Sequence, residues 1–569
     1  MHTPRRLIGL LLLLGCAHAP QPDQAEGPSG DFARLVDDYF TSRFTYAPSR
    51  ATSTGLHEFD AKLEDLSRAR IRAQIYELKA FQARLVALDR NRLSFDEAVD
   101  AQLIDNGINA ALLELTVVRS WERNPMAYAG LPGNALDSLM KRNFAPPADR
   151  LRSMIARLSQ VPQIYAAAKQ NLSNPAKELT DVAVRMARGS VGFLDGAVRQ
   201  WARTAAGDDA ALLAQFEQVH GPALTAARDF VEWLQKDLAP RSHGSYAIGA
   251  ETFLAKLQYE EMVTIPLPQL LARGEAQLAK DHAAFLEVAP QIDPARPAAE
   301  VMKSISDEHP AAEDLIPAVA RSVEAARKFV VDKQIVTVPS EVRVRVAPTP
   351  PYARSGSFAS MDTPGPYENK ATEAFYYVTP VEPEWDAKHK EEHLRLYNPW
   401  VVGMINVHEA YPGHYLQFLY APRFPTKTRK LARSSSNSEG WAHYAEQMAV
   451  DNGFGDGNPK MRLAQLQEAL LRDCRYVVGI QLHTAGWTVE QGAKLFEEQG
   501  FQEPANAYEE ARRGAYNPTY LYYTLGKLEI QDLAREYMSR KNATLRQFHD
   551  AFVAQGALPI PLIRKILLR

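Results

Sequence analysis

Cysteine is almost absent from this sequence, which contains 2 cysteines in 569 residues. Cys16 lies in the N-terminal segment, and Cys474 is the other thiol. A single thiol left after processing of the N-terminus cannot form an intrachain disulfide, even in an oxidising compartment. No candidate base stands at a spacing from Cys474 that would indicate a catalytic pair, so a cysteine nucleophile is not expected.

Strong net charge is also lacking, since the formal net charge is −3 at pH 7. This gives no electrostatic reason to expect nucleic acid as a partner. A G-x-S-x-G element, which marks many serine hydrolases, is absent, as are repeats of fixed period and low-complexity tracts. With 46% hydrophobic and 23% charged residues, the composition is that of a globular body with room for a large core.

Long hydrophobic runs are missing beyond the N-terminus, where no segment is long and apolar enough to cross a membrane. The N-terminus itself places two arginines before a short apolar run that ends in LLGC at residues 13–16. This arrangement predicts a secretory signal, and LLGC resembles a bacterial lipobox, whose cysteine becomes the acylated first residue. Residues 1–16 are therefore predicted to be a lipoprotein signal peptide with Cys16 as the lipidation site, and plain secretion is the alternative.

Residues 17–30 are rich in proline, glycine and polar residues and are predicted to be a flexible tether. Contact with a membrane is expected through the N-terminal lipid only, in the cell envelope. The alanine that follows Cys16 favours the periplasmic face of the outer membrane, by analogy with lipoprotein sorting.

The rest of the chain divides into two regions by pattern. Residues 31–333 show helical spacing of apolar residues nearly throughout and are predicted to be a helical scaffold region. Residues 334–569 begin with three predicted strands, IVTVP (335–339), EVRVRVA (341–347) and AFYYVTP (374–380). Asn398 then caps a helix that opens with Pro399, and further helices follow. The predicted fold is mainly α, a large multi-helix scaffold with a small β-sheet beside a zincin-like active-site helix.

That helix ends in VHEAYPGH, residues 407–414, which resembles the zincin motif H-E-x-x-H with a longer spacer. Residues six apart on a straight helix point about 120° away from each other, so His408 and His414 could not bind one ion. Pro412 interrupts the helix and Gly413 allows a turn. We expect the helix to loosen at 410–413 and to re-form near His414. The spacing alone also fits a helix-breaking turn with surface histidines.

The segment SSSNSEGWAHYAEQMA starts another helix, with Ser436, Asn437 or Ser438 as its possible cap. Glu439, His443 and Glu446 share one face of this helix. Glutamate zincins place two histidines on one helix and a glutamate on the next. His408, His414 and Glu439 meet this description as three zinc ligands, which leaves one position for water.

The roles of two neighbouring residues follow from this ligand set. Glu409, beside the first ligand, is placed where a general base is needed. His443, one turn from Glu439, suits support of the ligand glutamate, with a packed helical histidine as the alternative.

These motifs make the sequence similar to the bacterial family known as domain of unknown function 885. The resemblance covers nearly the whole mature chain, from TYAPSR and NPMAY to FYYVTP, VHEAYPGHYLQ, SEGWAHYAE and PTYLYYTLGKLEI. It implies a mostly helical, zinc-dependent peptidase of the glutamate-zincin type. It also implies that Tyr523 is the oxyanion donor among four nearby tyrosines, because Pro518 and Gly526 stand at the spacing of the family pattern.

Further residues complete the candidate site. Arg475 could clamp a substrate carboxylate, and His483 could be a second oxyanion donor, against salt bridging and burial as the alternatives. The strand AFYYVTP is expected to hold an extended substrate, which places Tyr377 among the substrate-binding residues.

The predicted function is hydrolysis of peptide bonds in short peptides, with Zn²⁺ as cofactor, a zinc-bound water as nucleophile and Glu409 as general base. A non-catalytic periplasmic binding or scaffolding lipoprotein and an amidase acting on cell-wall peptides stay open as alternatives. The sequence leaves undecided whether cleavage is exo or endo, which metal is native, and the oligomeric state.

Overall fold

The computed structural model describes residues 28–350 and 359–569. This part of the chain is mainly α-helical with a small three-stranded sheet, which confirms the predicted fold class. Within these residues, none of the helices combines the length and the apolar character needed to span a bilayer. The predicted signal peptide, most of the tether and Cys16 lie outside the described residues.

The first region consists of helices joined by short loops. The helices are α1 (Pro28–Tyr46), α2 (Pro48–Thr54), α3 (Arg68–Ala87), α4 (Phe95–Leu113), α5 (Ser120–Arg123), α6 (Pro125–Met140), α7 (Pro147–Leu158), α8 (Val161–Asn171), α9 (Lys177–Phe193), α10 (Arg199–Ala206), α11 (Ala210–Trp233), α12 (Ala250–Glu261), α13 (Leu267–Val288), α14 (Ala298–Ile305) and α15 (Leu315–Asp332). Apolar residues at helical spacing form the buried faces, as Phe32, Leu35 and Tyr39 do on α1.

The sheet consists of β1 (Arg345–Pro348), β2 (Ala359–Asp362) and β3 (Phe375–Val378) in the order β1-β3-β2. The central strand β3 is parallel to β1 and antiparallel to β2. The predicted strands at 341–347 and 374–380 are thus confirmed only in part, because the ladder covers shorter stretches than the alternating pattern.

The strand predicted at 335–339 does not form. Side chains from the C-terminal helices bind its backbone groups instead: the Thr337 N–H donates to Asp550 at 2.6 Å, and the Ile335 carbonyl contacts His549 Nδ1 at 2.7 Å. Ile335 is buried in the core, so its apolar pattern reflects burial rather than strand pairing.

The remaining helices surround the sheet and the candidate site. They are α16 (Ala387–Arg395), α17 (Pro399–Glu409), α18 (His414–Tyr420), α19 (Lys427–Leu431), α20 (Ser435–Asp451), α21 (Pro459–Thr484), α22 (Val489–Gly500), α23 (Pro504–Tyr516), α24 (Tyr522–Lys541), α25 (Leu545–Val553) and α26 (Ile560–Leu567). The Asn398 side chain accepts a hydrogen bond from the Val401 N–H at 3.0 Å, which confirms the predicted cap of α17.

The two regions share hydrophobic cores. Val319, Val323 and Val330 of α15 are buried in one cluster with Met404 and Val407 of α17. Since α15 lies in the predicted scaffold region, the helix that carries His408 rests on residues from both sides of the predicted boundary.

Helices α20 and α24 cross at two glycines. A Cβ atom on Gly440 would lie 2.5 Å from the Cα atom of Gly526, and one on Gly526 would lie 1.8 Å from the carbonyl oxygen of Ser436. These distances are far below any tolerable contact, so both positions need glycine for the backbones to approach this closely. The crossing packs the helix that carries Glu439 against the helix that carries Tyr523.

Candidate metal centre

A cavity of about 1650 Å³ opens between the sheet and the helices of both regions. The residues that line it around the candidate centre are His408, Glu409, His414, Glu439, Glu468, Arg472, Arg475, Glu510, Arg513 and Tyr523. Ser53 and Lys303 of the first region line it as well, so both regions contribute to its wall.

The spacer between the two histidines forms a turn. Helix α17 ends at Glu409, and Ala410 leaves helical conformation at φ −113° and ψ −81°. The Gly413 N–H donates to the Val407 carbonyl at 3.0 Å, and α18 begins at His414. A Cβ atom on Gly413 would lie 1.7 Å from the carbonyl oxygen of His408, so the turn needs glycine there. The expected loosening at 410–413 is confirmed.

The turn brings the two imidazoles together, with ring centroids 4.9 Å apart. Glu439 reaches both rings from α20: its Oε2 atom lies 3.3 Å from Nε2 of His408 and 3.4 Å from Nε2 of His414. Zinc bound tetrahedrally at about 2.0–2.1 Å keeps its nitrogen and oxygen ligand atoms about 3.4 Å apart. The three side chains therefore fit a zinc ion.

Glu439 is positioned by the start of its helix. The cap of α20 is Ser434, whose side chain accepts a hydrogen bond from the Asn437 N–H at 3.2 Å. The predicted caps Ser436, Asn437 and Ser438 lie inside the helix instead. Glu261 holds this first turn, since it accepts hydrogen bonds from the hydroxyls of Ser434 and Ser436. An earlier start puts Glu439 in the second turn of α20.

A second carboxylate belongs to the same cluster. Ligand atoms of His408, Glu409 and His414 all lie within 4.8 Å of one another. Glu439 touches both ring nitrogens more closely, at 3.3 and 3.4 Å. Glu439 is therefore the carboxylate in direct contact with both rings, and Glu409 lies beside them.

The charged side chains of this cluster shift one another's pKa values. Burial lowers the pKa of His408, but hydrogen bonds with Glu439 and Glu446 outweigh this effect and raise the pKa to about 9. Burial alone would raise the pKa of Glu439, yet His414 and His408 hold it well below its usual range. Glu439 is thus ionised at neutral pH and His408 holds a proton, which a metal cation would displace.

Glu446 is the residue that the sequence interpretation missed. Its Oε1 atom contacts Nδ1 of His408 at 2.7 Å, and its Oε2 atom contacts Nδ1 of His443 at 3.1 Å. A carboxylate on the other ring nitrogen of a metal-binding histidine fixes its tautomer and orientation. His443, predicted to support Glu439, instead contacts Glu446 and is fully buried. The shared helical face of 439, 443 and 446 was the available signal.

Replacement of Glu446 by Gln should weaken zinc binding about 10- to 100-fold, because the His408 ring loses its anionic partner. Arg472, 3.3 Å from the same carboxylate, would also lose charge compensation, which should lower the Tm. Competition with a chromophoric chelator measures the affinity. Glu468→Gln is the matched control, since Glu468 pairs with Arg472 at 2.6 Å and forms no hydrogen bond with His408. Equal zinc affinity in both variants would contradict this role.

Tyr523 faces the cavity beside the histidines, with its ring centroid 6.4 Å from that of His408. The guanidinium of Arg475 lies 5.1 Å from the Tyr523 ring, and Arg513 Nη2 donates to the Tyr523 hydroxyl at 3.5 Å. The hydroxyl of Tyr520 donates to Glu510 instead, and that of Tyr522 accepts from Asn517. Of the four neighbouring tyrosines, Tyr523 is the one in the cavity wall of the described chain.

Two other predicted residues are occupied differently. Arg475 donates through Nε and Nη2 to both carboxylate oxygens of Glu510, at 2.7 and 2.9 Å, so its fork is already filled. His483 is buried with Nε2 2.8 Å from the Gly514 carbonyl, and it is not among the cavity residues. Burial lowers its pKa to about 4. The structure therefore does not support Arg475 as the carboxylate clamp or His483 as the second oxyanion donor.

The expected role of AFYYVTP as a substrate-pairing strand is wrong. Its strand β3 is central, with β1 on one side and β2 on the other, so no edge of β3 is available. Tyr376 and Val378 are buried, and Tyr377 alternates to the opposite face, where its ring stacks on Phe375 at 5.5 Å. Tyr377 does not line the cavity, whereas Ala359, Ser360 and Met361 of β2 do.

These features define a mainly helical protein with two histidines and two glutamates converging in a large cavity. The family model described as "Bacterial protein of unknown function (DUF885)" matches residues 48–567, and the chain belongs to this family. No curated protein is similar to the chain at a significant level.

Two solved structures share the fold. A candidate lipoprotein of unknown function from Shewanella oneidensis is 28% identical with a TM-score of 0.80, over 96% of this chain and 100% of that chain. A candidate lipoprotein from Colwellia psychrerythraea is 18% identical with a TM-score of 0.80, over 95% and 99% of the two chains. At this identity the second likeness concerns the fold alone.

Proposed function

We propose that this protein is a zinc-dependent hydrolase of peptide bonds that acts on short peptides in the cell envelope. The observation that carries the proposal is the spacing of His408, His414 and Glu439, whose ligand atoms lie 3.3 and 3.4 Å apart. Glu409 beside them supplies what a structural metal site does not need, a free carboxylate at the reacting position.

When bound, zinc would supply a Lewis acid and lower the pKa of water toward 7. Glu409 would accept the proton of the attacking water and deliver it to the leaving amine. The Tyr523 hydroxyl would donate to the oxyanion of the tetrahedral intermediate. Glu446 would hold the His408 ring in one orientation during both the attack of water and the departure of the amine.

The cavity suits an extended peptide better than a small metabolite. Its volume of about 1650 Å³ exceeds the roughly 300–1,000 Å³ of ordinary small-molecule pockets. Strand β2 (Ala359–Asp362) is an outer strand of the sheet and lines this cavity. We assign to β2 the role of pairing with the substrate backbone.

A peptide-library digest with the zinc-loaded protein, read by mass spectrometry, tests the proposal. Cleavage that depends on zinc and on Glu409 supports a peptidase. Zinc binding without cleavage of any peptide would favour a binding or scaffolding lipoprotein. Cleavage confined to cell-wall peptide amides would favour the amidase alternative.

The proposed location is the cell envelope, with the chain anchored by a lipid on Cys16. The support is the LLGC segment at residues 13–16 and the description of both structural neighbours as candidate lipoproteins. The outer membrane and its periplasmic face are part of the same proposal.

Replacement of Cys16 by Ala should move the full-length protein from the membrane fraction to the soluble fraction, because the acylation site is lost. Immunoblots of fractionated cells measure the distribution. Cys474→Ala is the matched control, since this buried thiol lies in the folded body. Equal membrane retention of Cys16→Ala and the parent protein would contradict lipid anchoring.

A further inference from the structure

Arg513 on α23 lies in the cavity wall beside the proposed oxyanion donor. Its Nη2 atom is 3.5 Å from the Tyr523 hydroxyl, and its guanidinium lies over the Tyr520 ring at 5.2 Å from the centroid. Asn506, Glu510 and Arg513 follow one another at steps of four and three, so they form the face of α23 that lines the cavity. Contacts with two tyrosines thus position the Arg513 side chain.

The acidic residues next to Arg513 on α23 are engaged by other arginines. Glu510 accepts both hydrogen bonds of the Arg475 fork, at 2.7 and 2.9 Å. Glu509 pairs with Arg512. In the part of the chain that the structure describes, Arg513 itself forms no ion pair. The fold therefore leaves a positive charge without a carboxylate partner at this point of the wall.

The guanidinium of Arg513 keeps most of its hydrogen-bonding capacity. An arginine has five N–H donors in a planar fork, and among the described residues the contact with Tyr523 is the one hydrogen bond of this side chain. The side chain is partly buried and reaches the cavity. Because the fork stays charged and matches the two oxygens of a carboxylate, an anion in the cavity could bind to it.

Other positive side chains of the cavity lack one of these two features. Arg472 and Arg475 lie near the oxyanion donor, but both pair with glutamates. Lys430 and Arg433 form no ion pair within the described chain, but neither has a hydrogen bond or a ring contact with the oxyanion donor. Arg513 combines an unpaired charge with a contact to the candidate centre.

The contact with Tyr523 limits how far a carboxylate on Arg513 can lie from the reacting bond. An oxyanion that accepts from the tyrosine hydroxyl at about 2.8 Å is at most about 6 Å from Nη2 of Arg513. A carboxylate oxygen about 2.8 Å from the same nitrogen is then at most about 9 Å from the oxyanion. Since an extended residue spans up to about 3.6 Å, the carboxylate is at most two extended residues from that bond.

We infer that Arg513 binds a carboxylate of the peptide substrate, one or two residues from the bond to be cleaved. The carboxylate belongs either to the C-terminus of the substrate or to an acidic side chain. In the first case the protein is a carboxypeptidase that releases a single residue or a dipeptide. This inference names the substrate class and rests on the proposed peptidase function.

Peptide binding to the zinc-loaded, full-length Glu409→Gln protein tests the inference without turnover. Three alanine tetrapeptides with an N-terminal fluorophore serve as probes: one with a free C-terminus, one amidated, and one amidated with glutamate as its last residue. Fluorescence anisotropy gives the Kd of each peptide, and mass spectrometry checks that the peptides stay intact.

At least one of the two anionic peptides should bind about tenfold or more tightly than the neutral peptide, because it gains a charge-assisted pair. Addition of Arg513→Gln should abolish this difference and leave the Kd of the neutral peptide unchanged. The neutral peptide thereby distinguishes a lost carboxylate contact from a distorted cavity. Preference for the free C-terminus identifies the terminal carboxylate, and preference for glutamate identifies the side chain.

Two control variants each remove a different arginine. Arg512→Gln removes the neighbour of Arg513 on α23, whose charge is paired with Glu509 and which is not among the cavity residues. Arg433→Gln removes an unpaired charge from another part of the same cavity. Both variants should keep the preference for the anionic peptide.

Equal binding of all three peptides would overturn the inference, as would a preference that survives Arg513→Gln or that Arg433→Gln abolishes. Equal weakening of all three peptides in Arg513→Gln would overturn it as well, since Arg513 would then only support the cavity wall. Arg513 has no ion pair to lose, so this variant should keep the parent Tm. Failure of the peptidase proposal appears separately, as wild-type protein that binds peptides and cleaves none.

Discussion

Zinc-loaded Glu409→Gln protein should keep its metal and lose at least about 100-fold in kcat on a peptide substrate. Glutamine preserves the shape of the side chain but cannot accept the proton of the attacking water. His408, His414 and Glu439, which contact one another without Glu409, stay in place. Elemental analysis and turnover measured on the same preparation make the comparison.

Glu300→Gln is the control for this experiment, because Glu300 also lines the cavity but lies on α14. It should retain the parent kcat. Full zinc content together with unchanged turnover in Glu409→Gln would remove Glu409 from the mechanism and assign any cleavage to another site. Loss of zinc in Glu409→Gln would instead make Glu409 a ligand.

Replacement of His414 by Ala should weaken zinc binding by at least about 100-fold, so that the purified protein contains almost no metal. Loss of a direct ligand must cost at least as much as loss of an outer partner, which costs about 10- to 100-fold. His414 is the better choice than His408, because its side chain is 22% exposed and the buried contact between His408 and Glu446 survives. The protein should therefore still fold.

Metal content and the rise of Tm on addition of zinc measure this effect, since a ligand bound by the folded state stabilises it. His389→Ala removes an exposed imidazole outside the cluster and should leave both values unchanged. A His414→Ala protein that still holds one zinc per chain would contradict the ligand set.

Local patterns predicted the helices and the turn well. The cap at Asn398 and the break at 410–413 depend on residues that are neighbours in sequence. Asn398 followed by Pro399 indicates the cap, and Pro412 followed by Gly413 indicates the break. The convergence of His408, His414 and Glu439 followed from spacing together with the family resemblance. Interactions between residues close in sequence determine the cap and the turn, so both can be predicted from a single sequence.

Long-range partners were beyond the sequence. Nothing in AFYYVTP reveals that β2 occupies its second edge, because strand order depends on the whole sheet. Arg475 has the residue type of a carboxylate clamp, but Glu510 lies 35 residues away in sequence and fills it. The side chains that bind the backbone at 335–339 come from about 210 residues further along.

The crossing of α20 and α24 explains why two of the sequence motifs contain a glycine. The glycine of E-G-W-A-H-Y is Gly440, and the glycine three residues after Tyr523 is Gly526. These two residues touch across the helix pair. The two motifs therefore meet at one helix–helix contact, although their glycines are 86 positions apart in the sequence. A relative that carries both glycines can pack these two helices at the same distance, and a relative with a bulkier residue at either position must move them apart.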